Sequence, residues 1–211
     1  MIGIGDLGLS LRTIMVVVPV ALYFLVLGLL NSRPRPQLLR GRRDFLLLVM
    51  ALGPVFAMPV LHWVQDPWPG LAAAAAAVAC GLVVLAPPAA SWVVYNIPPA
   101  AAARIVGEAL RAAGLTPAQD HGAFRLSDGA EVHLSAFPFL RNVSIRMTGA
   151  PPAAAERFER ALAERIEAVP AETTPMAMAL LLVAAAMLVA PLAMAAPQAG
   201  EIVRILTGML Y

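Results

Sequence analysis

The segment NSRPRPQLLRGRRD, residues 31–44, carries five arginines, two prolines and a single acid. It stands between two strongly apolar runs, IMVVVPVALYFLVLGLL at residues 14–30 and FLLLVMALGPVFAMPVLHWV at residues 45–64. Arginines in a short loop between two membrane helices keep that loop on the cytoplasmic side of the bilayer. The segment therefore predicts a cytoplasmic loop between two transmembrane helices.

The composition of the chain is typical of an integral membrane protein. Of its 211 residues, 60% are hydrophobic and 13% are charged, whereas a typical soluble domain is about half apolar and about a quarter charged. A helix needs about 20 apolar residues to cross the hydrocarbon core, within a range of about 17–25. Four blocks meet this requirement: residues 14–30, 45–64, 70–94 and 176–196. The predicted fold class is a membrane all-α bundle of four transmembrane helices with an inserted small α+β domain of order α-β-β-β-α.

The cationic residues of the first loop also orient the chain. These residues are Arg33, Arg35, Arg40, Arg42 and Arg43. They predict a multi-pass protein of the inner (plasma) membrane, with its N-terminus outside and residues 96–175 in the cytoplasm. Their guanidinium groups are candidates for contact with lipid headgroups, but a role as topology signal alone is the preferred interpretation. The predicted domain division is 1–95, 96–172 and 173–211.

Residues 96–172 regain charged side chains and have the composition of a small water-soluble domain. Helical patterns cover residues 97–114 and 151–169, and alternating apolar and polar runs cover residues 124–127, 131–134 and 141–147. These patterns predict three antiparallel strands with two covering helices.

A second interpretation of residues 91–97, SWVVYNI, remains open at this stage. This run has the β-branched and aromatic composition of a strand. As a first strand it would give the order β-α-β-β-β-α and shorten the third span to about 17 residues.

One face of the predicted sheet is polar. Its side chains are those of Arg125, Glu131, His133, Ser135, Asn142, Ser144 and Arg146. Arg125, His133, Asn142 and Arg146 are the candidates for binding a partner or an anion on this face. An ordinary solvated sheet face explains the same pattern and is the preferred interpretation.

No motif of catalysis or metal binding is found in the sequence. Cys80 has no partners for a zinc site, and His62, His121 and His133 have no further ligand at metal-binding spacing on a shared helix. Phosphate-loop, dinucleotide and serine-hydrolase motifs are also missing. We therefore predict no catalytic, cofactor-binding or metal-ligating residue. Nucleic acid is not predicted as a partner, because no basic face interleaved with aromatic residues is evident.

These patterns predict a non-enzymatic integral membrane protein, an accessory or scaffold subunit of a larger membrane complex that docks through its cytoplasmic domain. The predicted partners are the lipid bilayer and either another protein or a second copy of the chain. An apolar stripe in the C-terminal tail, at Ile202, Ile205, Leu206 and Met209, favours an amphipathic helix lying on a membrane or a partner.

Two alternative functions remain. The first is a small-molecule transporter or channel subunit, in which Pro54 and Pro59 would bend the second span around a path; the spans hold no Asp, Glu, Lys or Arg, which disfavours it. The second is a membrane-anchored sensor whose cytoplasmic domain binds a ligand.

Overall fold

A computed structural model of the chain describes residues 4–63, 67–120, 123–137, 141–171 and 174–198, together with Gly200 and Thr207. Six α-helices lie within these residues: α1 (Ile4–Ser32), α2 (Gly41–Trp63), α3 (Pro67–Leu85), α4 (Pro99–Ala112), α5 (Pro152–Glu167) and α6 (Pro175–Ala195). A short 3₁₀ turn, Ala196–Gln198, follows α6.

Six strands of the described residues form a single antiparallel sheet. They are β1 (Gln37–Arg40), β2 (Ser91–Tyr95), β3 (Pro117–Asp120), β4 (Ala123–Leu126), β5 (Glu131–Phe137) and β6 (Asn142–Thr148). Their spatial order is β1-β2-β6-β5-β4-β3, and all neighbouring pairs are antiparallel. Strands β3 to β6 form a meander, whereas β1 and β2 join it from earlier parts of the chain.

The predicted four-helix membrane bundle is wrong. The chain has a six-stranded antiparallel sheet, and only two helices of the described residues have the length and composition to cross a membrane, over Thr13–Ser32 and Pro175–Ala193. The predicted span over residues 70–94 is divided, since α3 ends at Leu85 and β2 begins at Ser91. The sheet also has more strands than predicted, because β1, β2 and β3 were not among the three expected strands.

Two prolines explain where α3 ends. Pro87 and Pro88 have no backbone N–H, and a proline inside a helix clashes with the preceding turn. The following run, SWVVY, favours an extended backbone because valine and aromatic side chains fit a pleated sheet. Strands β1 and β6 pair with β2 from either side. The strand interpretation of residues 91–97 is therefore the one the structure shows, over Ser91–Tyr95.

The arginine-rich segment is a strand in its middle part, not a loop throughout. Gln37–Arg40 forms the edge strand β1, in which Leu38 lies opposite Val94 of β2. Helix α2 begins at the next residue, Gly41, without an intervening loop. The segment therefore belongs to the sheet and does not merely connect two helices.

Helices α4 and α5 cover one face of the sheet. Each begins at the second residue of a proline pair, which suits a first turn that needs no N–H. The α5 side chain Phe158 is fully buried and meets Trp92 of β2 edge to face, with ring centroids 5.2 Å apart. In α4, Ile105 and Leu110 face the same core. This apolar layer between the sheet and two helices is the principal hydrophobic core among the described residues.

The chain divides into two compact units. One contains the sheet, α4 and α5, and consists of Val26–Leu47 and Leu85–Ala179. We call it the sheet unit. The other contains the remaining parts of α1, α2, α3 and α6. The end of α1 and the starts of α2 and α6 thus belong to the sheet unit.

Candidate functional site

The five arginines predicted as a topology signal differ in their surroundings. Arg40 is the last residue of β1 and forms a two-point ion pair with Glu159 of α5, with Nε 2.7 Å from Oε1 and Nη2 3.0 Å from Oε2. The hydrogen bond and the negative charge of Glu159 both raise the pKa of Arg40 above its ordinary value. Arg40 is therefore engaged within the sheet unit.

The other four arginines are exposed. Arg33 donates a hydrogen bond from Nη1 to Oε1 of Gln37, over 2.9 Å. Arg35, Arg42 and Arg43 make no side-chain hydrogen bond or ion pair with any other residue that the structure describes. We call the four exposed cations the arginine strip: Arg33, Arg35, Arg42 and Arg43.

The acid of the same segment points away from the strip. Asp44, in the first turn of α2, accepts a hydrogen bond from the hydroxyl of Tyr95, a β2 residue that is only 2% exposed. Burial raises the pKa of Asp44 above its ordinary value, and the hydrogen bond from Tyr95 opposes this rise. Asp44 therefore links the start of α2 to β2 by a hydrogen bond and forms no ion pair with the neighbouring arginines.

The ends of the two apolar spans meet in the sheet unit. The backbone N–H of Ala171, four residues before α6, donates to the carbonyl of Pro34, just after α1, over 2.9 Å. Next to it, buried Asn96 adopts a left-handed φ of 59° and donates from Nδ2 to the carbonyl of Arg33. Thr174 accepts a hydrogen bond from the N–H of Ala177 and so caps α6. The first two bonds hold the backbone of Arg33 and Pro34, and the third holds the start of α6.

The predicted polar sheet face is formed by neighbouring strands. In the register of β5 and β6, His133 lies opposite Arg146 and Ser135 lies opposite Ser144. Arg125 of β4 lies opposite Glu131 of β5. We call this surface the open face: Arg125, Glu131, His133, Ser135, Asn142, Ser144 and Arg146. Five of these residues are exposed, and Glu131 and Asn142 are half-buried.

Electrostatic contacts on the open face centre on one carboxylate. Glu131 accepts a hydrogen bond from Nε of Arg125 at 3.2 Å through Oε1 and lies 3.1 Å from Nε2 of His133 through Oε2. Arg146 forms no ion pair with any residue in the described ranges. Asn142 has a buried Oδ1 atom without a hydrogen-bond partner there. On the open face, the positive charge of Arg125 is therefore paired with Glu131, whereas that of Arg146 is not paired with any described residue.

Metal-binding chemistry was not predicted, and within the described ranges no group of three or more His, Cys, Asp or Glu residues could hold a metal ion. Cys80 lies exposed in α3. The backbone of His62 lies in α2, while His121 and the predicted apolar stripe of the C-terminal tail lie outside the described residues.

Sequence reasoning missed the partners that distinguish these arginines and acids. Neither Glu159 nor Tyr95 was predicted to contact a side chain of residues 31–44, although Glu159 lies on the polar side of a predicted helix. Only the pairing of β1 with β2 brings Arg40 near α5, so no local pattern could have identified the ion pair.

Comparison of the chain with protein-family models, curated proteins and solved structures finds no match.

Proposed function

We propose that this chain is a membrane-anchored docking subunit whose open face binds an acidic segment of a partner protein. The observation that carries the proposal is the exposure of one face of strands β4, β5 and β6. Helices α4 and α5 pack on one face, as the contact of Phe158 with Trp92 illustrates, and polar side chains of β4, β5 and β6 stand exposed on the other.

Charge supports an acidic partner. Glu131, the anion of the open face, is already engaged by Arg125 and His133. Arg146 stands in the middle of the sheet without an ion pair among the described residues. A guanidinium group presents a planar set of donors that fits a carboxylate at two points. A partner carboxylate placed over Arg146 would thus meet a preorganised and uncompensated cation.

The sheet geometry also supports a docking role. Antiparallel pairing holds cross-strand neighbours at about 4.5–5.5 Å between Cβ atoms, so Ser135, Ser144, His133 and Arg146 form a regular two-by-two array. Such an array is fixed by backbone hydrogen bonds and needs little reorganisation on binding. It supports recognition of a partner surface and does not require chemistry at any side chain.

Membrane attachment is part of the same proposal. The helices over Thr13–Ser32 and Pro175–Ala193 are long and apolar enough to cross a membrane. The arginines that follow the first of them favour a cytoplasmic location of residues 96–175 and an external N-terminus, in the inner membrane. A Cys80→Ala, Ser144→Cys variant should react with a membrane-impermeant maleimide only after the cells are lysed. Labelling in intact cells would place the open face outside and contradict this orientation.

Site-specific cross-linking tests the docking surface. A photoreactive residue at Ser144, on the open face, should form an adduct with another protein, whereas one at exposed Glu164 of α5 should not. The adduct should disappear in an Arg146→Glu background and at high salt, and persist in a matched Arg111→Glu background. Equal adducts from both positions, or an adduct that tolerates Arg146→Glu, would contradict the proposal. An adduct of two copies of the chain would assign the face to self-association instead.

A further inference from the structure

We propose that the arginine strip, Arg33, Arg35, Arg42 and Arg43, binds the phosphate groups of anionic lipids at the membrane surface. This inference concerns a surface other than the open face and does not depend on the docking function. Its partner is a lipid headgroup layer, and its chemistry is that of guanidinium groups with phosphate oxygens.

The charge of the strip is not neutralised within the chain. The two groups nearest in sequence that could change its charge are both engaged elsewhere: Arg40 with Glu159, and Asp44 with Tyr95. The charge of Arg40 is paired with that of Glu159, and the half-buried carboxyl of Asp44 forms no ion pair with an arginine among the described residues. Four exposed cations therefore remain within eleven residues of chain, from Arg33 to Arg43.

The position of Arg33 and Arg35 favours a membrane surface. Arg33 directly follows Ser32, where the first apolar span ends. Pro34, between the two arginines, accepts the hydrogen bond from Ala171, which lies four residues before the second apolar span begins at Pro175. Arg33 and Arg35 therefore stand at the end of the first apolar span and beside the segment that leads into the second, where headgroup phosphates would meet them.

The surroundings of Arg42 and Arg43 favour the same ligand. Both lie in the first turn of α2, where the helix macrodipole disfavours cations and a bound anion would remove the penalty. Leu46 follows Arg42 by four residues, so the two side chains share one side of the helix. Leu46 is 48% exposed. Cations followed by exposed apolar side chains on one helix face are typical of an interfacial segment.

A headgroup layer fits the strip better than a soluble anion. Arg33 and Arg35 precede strand β1 and Arg42 and Arg43 follow it, and a four-residue strand spans about 13 Å. One small anion cannot bridge that length, whereas a bilayer surface offers many phosphates. Each arginine near an anionic surface should strengthen retention by about five-fold.

The experiment measures which lipids the full chain retains. The protein in mild detergent is mixed with equal amounts of phosphatidylglycerol and phosphatidylcholine, separated from excess lipid, and the bound lipids are quantified by mass spectrometry. We expect at least about five-fold enrichment of phosphatidylglycerol. The triple variant Arg35→Gln, Arg42→Gln, Arg43→Gln should lose most of it.

Two control variants test whether the effect is specific to the arginine strip. The first removes the same number of positive charges elsewhere in the chain, and the second removes the remaining arginine of residues 31–44. The variant Arg104→Gln, Arg111→Gln, Arg160→Gln removes three exposed arginines of α4 and α5 and should keep the enrichment. Arg40→Gln should keep it as well, because Arg40 is held by Glu159. Equal retention of the two lipids by the natural chain, or an equal loss in any control, would overturn the proposal. Displacement of the lipid by glycerol phosphate at the same headgroup concentration would assign the strip to a soluble anion instead.

Discussion

Arg40 and Glu159 join the edge strand β1 to helix α5 across 119 residues of sequence, through two hydrogen bonds of 2.7 and 3.0 Å. The Arg40 side chain is 62% exposed. Water and salt screen such a pair, so it contributes little to stability compared with the apolar core beneath it. Its role is to orient β1 and to keep one cation out of the arginine strip.

Removing that ion pair should increase the local opening of β1, while the stability of the whole chain falls only slightly. In Glu159→Gln the charge that holds Arg40 is lost, while the core contact of Phe158 with Trp92 is unchanged. We expect a small decrease in the thermal midpoint at low salt, vanishing at high salt, and faster hydrogen exchange of the β1 amides. Glu164→Gln, an exposed change on the same helix, should leave both unchanged. A decrease as large as that of a core truncation would show that the pair is a principal support of the fold.

The turn from β1 into α2 depends on a glycine. A Cβ atom added at Gly41 would lie 2.3 Å from Oγ and 3.1 Å from Cβ of Ser91, whose hydroxyl is held by the carbonyl of Pro88. Gly41→Ala should therefore cost about 1–3 kcal/mol in the free energy of unfolding, measured by urea titration in mild detergent. Adding Ser91→Gly to this variant should recover part of the loss, since it removes both close atoms. Simple additivity of the two changes would argue against a steric cause.

Burial of the Asp44 carboxyl should make stability depend on pH. Because burial raises the pKa of Asp44, the folded chain holds that proton more tightly than the unfolded chain does. The resulting stabilisation is complete below the ordinary aspartate pKa of about 3.9 and is lost as the pH rises through the higher folded pKa. Asp44→Asn, which stays neutral, should be more stable than the natural chain above this range.

The stability gained by Asp44→Asn should shrink as the pH is lowered through the same range. Thermal midpoints recorded from acidic to neutral pH test this, with the exposed change Glu167→Gln as a control that keeps the natural slope. A gain for Asp44→Asn that is independent of pH would show that the carboxyl of Asp44 titrates normally.

The core of the sheet unit should be sensitive to loss of one ring. Phe158 is fully buried against Trp92, and truncation of such a side chain leaves a cavity as well as losing apolar burial. Phe158→Ala should cost about 3–5 kcal/mol in the free energy of unfolding, and Phe158→Leu clearly less. Tryptophan fluorescence during urea titration reports both. Equal losses in the two variants would contradict this expectation and show that the apolar volume of leucine cannot replace the ring.

Local patterns in the sequence were enough to predict α4, α5 and the middle of the sheet. Alternation in residues 124–126, 131–134 and 142–147 marks strands β4, β5 and β6, and Gly129 supplies the turn with a φ of 84° between the first two. A buried stripe at helical spacing marks α5. The polar residues of the open face follow from the same alternation, because successive side chains of a strand point to opposite faces.

Long-range pairing explains what could not be predicted. Strand β1 has four residues, of which only Leu38 and Leu39 are apolar, and nothing near it in the chain identifies β2, some fifty residues later, as its partner. The same apolar composition suits a membrane helix and an interior strand, so residues 91–95 were ambiguous until β1 and β6 paired with them. The ion pair of Arg40 with Glu159 and the hydrogen bond between Asp44 and Tyr95 both follow from that pairing. Periodicity along a chain thus reports which face of an element is buried, whereas the partner that buries it is decided by contacts between distant segments.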